Sequence, residues 1–205
     1  MLGRLRSNWI ETKRWPELCA GGLMAHQEQK QFCEYVKGKL PDKFHKVSVL
    51  DIGSLDINGN NRYLFTNYHY IGIDIGPGNN VDIISRGHEY TSDFLYDVVI
   101  STETFEHDEF YPQTIQNMYK LLKPNGLFLF TCATTGRPEH GTTRTSPQDA
   151  PFIGDYYKNL TEADIRAVID VEASFSQFEF QSRQNPADLY FYGVKVDDSP
   201  PCCPR

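Results

Sequence analysis

The chain has 205 residues, of which 40% are hydrophobic and 23% charged, and a formal net charge of −7 at pH 7. This length fits one α/β domain with one sizeable core, and the acidity excludes a broad nucleic-acid-binding surface, because phosphate contacts need clustered Lys and Arg. The sequence has no apolar run of signal-peptide or transmembrane length, and its five cysteines lack the spacing of a disulfide framework. We therefore expect a cytoplasmic protein without a membrane partner.

Composition divides the chain into three parts. We expect an N-terminal extension over 1–21, a single domain over 22–196 and a tail over 197–205 that is rich in Pro and Cys and unstructured. The domain begins with a helix predicted over 22–39, where apolar residues recur at helical spacing, and Pro41 ends this helix.

Strands and helices are predicted to alternate through the rest of the domain. The apolar or alternating runs that predict strands lie at 47–52, 69–74, 81–85, 97–100, 127–131, 175–182 and 188–196. Helices are predicted directly after Gly59, over 111–122 and over 161–170. This order predicts a Rossmann-like α/β fold in which a mostly parallel seven-stranded sheet carries helices on both faces. Only a few residues join the last two strands, so that pair is predicted to be antiparallel.

Two acidic residues stand at the carboxyl ends of the first two predicted strands, Asp51 in one and Asp74 in the other. Ligands of open α/β sheets bind beyond these strand ends, where the strand order reverses. Asp51 is placed to attract an ammonium group and Asp74 to accept two ribose hydroxyls, while Gly53 lets the backbone approach closely and Ile75 packs on an adenine. The alternative is that both acids are helix caps or turn residues. An amine combined with a ribose indicates S-adenosylmethionine.

Four segments carry a family resemblance, namely Leu50–Ser54, Tyr70–Asp74, Tyr96–Ser101 and Leu121–Leu127. In order and spacing they look like the successive motifs of class I S-adenosylmethionine-dependent methyltransferases. Arg86 departs from the pattern, because it stands where many members use an acid near the adenine amine, which leaves the backbone at Gly87 and His88 to read the adenine edge. The candidate cofactor-binding residues are Asp51, Gly53, Ser54, Gly59, Asp74, Ile75, Gly87, His88 and Ser101.

The segment that follows the fourth predicted strand borders the transferable methyl group in this family. Its candidate catalytic residues are His107, as a general base, and Glu103. Methyl transfer is an in-line displacement, so a base is needed only when the acceptor is a hydroxyl or a poor carbon nucleophile. The alternative is that His107 is a hydrogen-bonded residue at the start of the next helix.

The spacing of Glu103, Glu106 and His107 also resembles a metal-binding version of this segment, found in some small-RNA and quinone-precursor O-methyltransferases, with His140 as a distant fourth ligand. Glu-His pairs occur at this position in many metal-free relatives. We therefore expect no metal ion and activity that survives chelation.

A long loop over 134–151 follows the fifth predicted strand and lacks an apolar period. It carries Arg137, His140 and Arg144, which form either a clamp for an anionic acceptor or part of a solvated lid. His26 lies on the first predicted helix, which covers the cofactor in relatives. The candidate substrate-binding residues are therefore His26, Arg137, His140 and Arg144.

The function that the resemblance implies is methyl transfer from S-adenosylmethionine to a small or medium acceptor, through oxygen or nitrogen rather than carbon. One alternative is a methyltransferase-fold module that binds the cofactor or a partner without turnover. A nicotinamide-dependent oxidoreductase is disfavoured, because it requires Gly-x-Gly-x-x-Gly after the first strand, and no glycine lies between Gly53 and Gly59.

Overall fold

A computed structural model describes residues 25–197, with side chains from Gln27 onward. The predicted extension over 1–21 lies outside the described residues, as does the tail apart from its first residue. Within the described part of the chain, no helix is both long enough and apolar enough to cross a membrane.

All seven strands join one sheet in the order β3-β2-β1-β4-β5-β7-β6. The strands are β1 Ser48–Ile52, β2 His69–Asp74, β3 Ile83–Ile84, β4 Tyr96–Thr102, β5 Leu122–Ala133, β6 Phe175–Ser182 and β7 Asp188–Lys195. Strand β7 runs antiparallel to both β5 and β6, while the other pairs are parallel, which confirms the predicted fold class. The order reverses where β1 lies between β2 and β4, and this is the position at which such sheets bind ligands.

Helices cover both faces of the sheet. They are α1 Ala25–Lys39, α2 Tyr111–Leu121, α3 Glu162–Arg166 and α4 Val171–Ser174, and a 3-10 turn occupies Asn61–Leu64. The helix predicted over 161–170 begins as expected, because the side chains of Thr161 and Asp164 cap each other's backbone N–H groups. It ends at Arg166, however, short of the predicted residue 170, and a separate helix α4 starts where the carboxylate of Asp170 accepts a hydrogen bond from the N–H of Ala173 at 3.0 Å.

Two strands, β3 and β5, differ most from their predicted ranges. Strand β3 has only two residues. Just before it, the carboxylate of Asp82 accepts a hydrogen bond from the N–H of Gly72 at 2.7 Å, in the place of the backbone carbonyl that a longer strand would offer. Strand β5 begins at Leu122, directly after α2 and ahead of its predicted start at residue 127, and its pairing with β4 is irregular over the Pro-Asn-Gly segment. Asn125 in this segment has a φ of 59°, in the left-handed region.

The core lies in two layers because side chains alternate along the strands. On β5, Phe128 and Phe130 face α2, α3 and α4, whereas Leu127 and Leu129 pack on the face that α1 covers. Phe191 of β7 stacks on Phe130 with ring centroids 5.3 Å apart. The two apolar layers fix the sheet and leave its carboxyl-terminal edge open between the loops.

Candidate functional site

A cleft of about 800 Å³ opens at the carboxyl ends of β1, β2 and β4, where the strand order reverses. Its walls come from α1, the segment after β1, the tips of β2 and β4, and the long loop after β5. The sequence-predicted site residues that line it are Asp51, Gly53, Ser54, Gly59, Asp74, Ile75, Gly87, Glu103, His107, Arg137 and His140. One cleft therefore contains most of the candidate cofactor, catalytic and substrate residues.

Besides Arg144, two candidates whose side chains the structure describes do not line the cleft. The hydroxyl of Ser101 is buried and donates to the carbonyl of Ile52 at 2.8 Å, so it ties β4 to β1. The ring of His88 packs on Phe110, with ring centroids 4.4 Å apart. His26 lies in α1, but its side chain is outside the described part of the structure.

Asp51 is held rigidly at the base of the cleft. Its side chain is buried and accepts hydrogen bonds from the hydroxyl of Tyr70 and from the amide of Asn61, the latter at 3.3 Å and 3.4 Å to the two oxygens. Burial raises the pKa of the Asp51 carboxyl to about 6, although both hydrogen bonds oppose the shift. Neither Asn61 nor Tyr70 was singled out from the sequence, because their contact with Asp51 depends on how β1 and the following turn pack on β2.

Asp74 joins the segment after β1 to the tip of β2. One carboxylate oxygen accepts from the N–H of Leu55 at 3.1 Å and the other from the N–H of Gly76 at 3.3 Å. Burial raises the pKa of this carboxyl as well. An ionised carboxylate has about four acceptor positions, so these two bonds leave room for two further donors such as ribose hydroxyls.

Gly53 sits between the two acids where the backbone turns. Its φ is 76°, and a Cβ at this position would overlap the side chain of Thr104. Only glycine fits this conformation and this close approach without strain. The N–H groups of Gly53 and Ser54 both donate to the carbonyl of Ile73 at 3.0 Å, so the turn ties the wall of the cleft to β2.

A second group of titratable residues lies at the end of β4. Glu106 is fully buried, and within residues 25–197 neither of its carboxylate oxygens has a hydrogen-bond partner. Glu103 accepts from the hydroxyl of Thr131 at 2.7 Å through one oxygen, while its other oxygen is buried and unbonded in the described structure. His140 approaches Glu106 at 4.0 Å, and the potential ligand atoms of Glu106, His107 and His140 all lie within 4.8 Å of one another.

Burial sets the electrostatics of this group. It raises the pKa of Glu103 to about 7 and that of Glu106 well above its usual range, where the neighbouring Glu103 adds to the effect. It lowers the pKa of His107 to about 4, and that of His140 is lowered for the same reason. Both imidazoles are therefore neutral near pH 7, so each has one ring nitrogen with an available lone pair.

The two arginines of the long loop have different environments. Arg137 lines the cleft and forms an ion pair with Asp188 of β7 at 2.7 Å, in which the Asp188 side chain is fully buried. Arg144 is half exposed and does not line the cleft, but it pairs with Glu139 at 2.7 Å and Asp155 at 3.5 Å, which do. The structure thus brings Arg137 to the candidate site and places Arg144 behind two of its acidic lining residues.

The segment after residue 148 completes the cover of the cleft. Asp155 accepts hydrogen bonds from the backbone and hydroxyl of Thr143 at 2.9 Å and 2.7 Å, which links the two ends of the loop. Phe152 packs against Gly76 so closely that a Cβ on that glycine would overlap its ring. The predicted loop ends at Pro151, and Phe152 was not among the predicted site residues, because an exposed aromatic residue in a polar segment gives no periodic signal.

Comparison with known proteins agrees with this geometry. A family model described as a methyltransferase domain matches residues 24–152, which is more than half of the chain. Comparison with curated protein sequences gives no match.

Similar folds occur among solved structures. N-methyltransferase NodS from Bradyrhizobium japonicum WM9 is 15% identical, with 85% of this chain and 99% of that chain covered and a TM-score of 0.55. Magnesium protoporphyrin IX methyltransferase from Synechocystis PCC 6803, solved with bound S-adenosylmethionine, is 15% identical over 87% of each chain, with a TM-score of 0.56. The 1,6-didemethyltoxoflavin-N1-methyltransferase from Burkholderia thailandensis is 13% identical over 82% of this chain and 78% of that one, with a TM-score of 0.59. At such identities the likeness concerns the fold.

Proposed function

Because the chain belongs to the class I S-adenosylmethionine-dependent methyltransferases, we propose that it methylates a small or medium acceptor at an oxygen or nitrogen atom. The observation that carries this proposal is the position of Asp51 and Asp74 in the same cleft as Glu103 and His107. One end of the cleft suits the cofactor and the other suits a polar acceptor.

We assign the cofactor end to the residues at the tips of β1 and β2. Asp51 attracts the ammonium group, Asp74 accepts the ribose hydroxyls and Ile75 packs on the adenine. The turn at Gly53 lets the backbone after β1 approach the amino-acid moiety closely, and the backbone around Gly87 borders the adenine edge.

The acceptor end is bounded by Glu103, His107, His140 and Arg137. The attacking atom of the acceptor donates its lone pair to the methyl carbon, the bond from carbon to sulfur breaks, and S-adenosylhomocysteine leaves. Glu103 offers a buried carboxylate oxygen that is unbonded among the described residues, so it is placed to orient the acceptor and take its proton. His107 bounds the same space, and alignment of acceptor and methyl group supplies much of the rate enhancement.

The volume of the cleft supports a small acceptor. Clefts that hold drug-sized ligands measure roughly 300–1,000 Å³. A cleft of about 800 Å³ therefore has space for the cofactor together with a small molecule. The Burkholderia thailandensis enzyme was solved with bound 1,6-didemethyltoxoflavin, an acceptor of this kind.

The proposal is tested by a screen of small hydroxyl- and amine-bearing compounds with S-adenosylmethionine, in which release of S-adenosylhomocysteine is measured. We expect release with a subset of compounds, and less release by the Glu103→Gln variant at unchanged affinity for S-adenosylhomocysteine. Tight cofactor binding without release from any compound would overturn the proposal in favour of a module that binds without turnover.

A further inference from the structure

We infer that Glu106, His107 and His140 form a binding site for a first-row divalent transition-metal ion. Their potential ligand atoms lie within 4.8 Å of one another at the acceptor end of the cleft, although the three residues come from the segment after β4 and from the loop after β5. The sequence led us to expect no metal ion here. The inference does not depend on which acceptor the protein methylates.

The hydrogen bonding of Glu106 is the first argument. The side chain is fully buried, and between residues 25 and 197 neither oxygen has a hydrogen-bond partner of good geometry, although the backbone N–H groups of Glu106 and Ala133 lie near enough to lower the pKa of the carboxyl. Burial of a charged or polar group without a partner costs several kcal/mol. Protonation removes the charge but leaves the new O–H donor without an acceptor among the described groups, and the two nearby N–H groups lack the geometry to satisfy the ionised carboxylate. A cation satisfies the ionised state.

The neighbours of Glu106 are the second argument. The ring of His107 meets the ring of His140 edge to face, with centroids 5.0 Å apart, and Nδ1 of His107 is buried and unbonded within the described part of the chain. Tyr157 packs on both rings, with centroids 5.5 Å from His107 and 5.0 Å from His140. The imidazoles are therefore fixed beside the carboxylate, as preorganised ligands must be.

Charge balance is the third argument. Glu103 and Asp188 act electrostatically on Glu106, and the cation among these neighbours is Arg137, which is paired with Asp188. Asp149 also acts on His107 and His140, so carboxyl groups outnumber the guanidinium at this end of the cleft. A divalent cation offsets this excess of acidic groups.

The donor set selects the class of ion. Two imidazole nitrogens and one carboxylate favour Mn²⁺, Fe²⁺ or Zn²⁺ over Mg²⁺ and Ca²⁺, which prefer oxygen ligands throughout. Three protein ligands leave coordination positions for small oxygen ligands. The site lines the same cleft as the proposed acceptor end, so such ligands include water or an acceptor oxygen.

Electron paramagnetic resonance of Mn²⁺ tests the site without methyl transfer. After treatment with EDTA and its removal, we expect the protein to bind one Mn²⁺ per chain, and the Glu106→Gln and His140→Asn variants to bind it at least tenfold more weakly. The matched control is Glu109→Gln, an exposed glutamate at the rim of the same cleft, which should bind like the wild type.

Affinity for S-adenosylhomocysteine, measured on each variant, shows whether its fold is intact. Failure of the wild-type protein to bind Mn²⁺ or Zn²⁺ would overturn the inference, as would equal binding by a correctly folded Glu106→Gln variant. If metal binding is absent but acceptor-dependent release of S-adenosylhomocysteine remains, the proposed function stands without this site.

Discussion

The hydroxyl of Tyr70 on β2 donates a hydrogen bond to the carboxylate of Asp51 on β1. The parallel register places Val49 opposite Tyr70, so both polar side chains lie on the face of the sheet that α1 covers. The guanidinium of Arg62 stands 4.1 Å from the centre of the Tyr70 ring and adds positive potential nearby. Asp51 therefore has a fixed orientation before any ligand arrives.

The first prediction concerns pH. Burial raises the pKa of Asp51 to about 6, and only the ionised carboxylate attracts an ammonium group. Affinity for S-adenosylhomocysteine should thus be constant well above pH 6 and weaken by up to about tenfold per pH unit below it, as the free protein takes up a proton that the complex excludes. Calorimetry between pH 8 and pH 5 measures this. Asp51→Asn should bind weakly and lose the Asp51 component of the pH dependence; a flat wild-type profile would contradict the assignment.

A second prediction addresses the ribose. Asp74→Ala removes a charged acceptor for the ribose hydroxyls and the anchor for the N–H groups of Leu55 and Gly76. Affinity for S-adenosylhomocysteine should fall by about 10- to 100-fold, since hydrogen bonds to charged groups contribute about 1.5–3 kcal/mol. Asp93→Ala, at an exposed position outside the cleft, is the control. Equal affinity in the two variants would sink the ribose assignment.

The third prediction compares two glycines. Gly53→Ala places a methyl group on a residue with a φ of 76° and into the side chain of Thr104, so both the free energy of unfolding and the cofactor affinity should decrease. Gly154→Ala meets no atom within 4 Å and should change neither appreciably. Chemical denaturation and calorimetry on both proteins provide the comparison. Normal cofactor affinity in a folded Gly53→Ala protein would show that the turn does not contact the ligand.

The fourth prediction separates the two loop arginines. Arg137→Ala leaves the fully buried Asp188 without its ion-pair partner, and breaking such a pair costs about 3–5 kcal/mol of unfolding free energy. Arg144→Ala breaks exposed pairs that contribute about 0–1 kcal/mol each. Urea denaturation measures both. Adding Asp188→Asn to Arg137→Ala should recover part of the loss, and similar stability of the two single variants would refute the distinction.

A fifth prediction tests the core. Phe191 is buried and its ring packs on those of Phe128, Phe130 and Phe175. Phe191→Ala should lower the free energy of unfolding by about 3–5 kcal/mol through lost burial and a cavity. Phe94→Ala, at a ring that is 53% exposed, should cost far less. Comparable losses in the two variants would contradict the assigned packing.

The strand positions were largely readable from the sequence because a buried strand is a short apolar run. Strand β2 matches its predicted range, and β1 differs from it by one residue. The boundaries that were predicted wrongly lie where a side chain replaces a backbone group as the hydrogen-bond partner. Asp82 does this before β3 and Asp170 does it before α4, and neither pattern is distinguishable from an ordinary polar turn.

The candidate site was readable only in part. Asp51 and Asp74 were found because each follows an apolar run and the family places acids there. The pair of Arg137 and Asp188 joins β7 to a loop 51 residues earlier, and the seclusion of Glu106 depends on the packing of that loop. Neither relationship has a local spacing that a sequence pattern reveals.

The central position of β1 also has a consequence for how the chain acquires its structure. Val49 pairs with Tyr70 on one side and with Val98 on the other, so the middle of the sheet closes only after a long stretch of chain has been ordered. Contacts between residues this far apart in sequence slow folding, because the entropy of the intervening chain is lost before they form. The carboxylates at the tips of β1 and β2 have a finished scaffold only after β4 has docked. Cofactor binding between the tips of these strands thus stabilises the completed sheet relative to the unfolded chain.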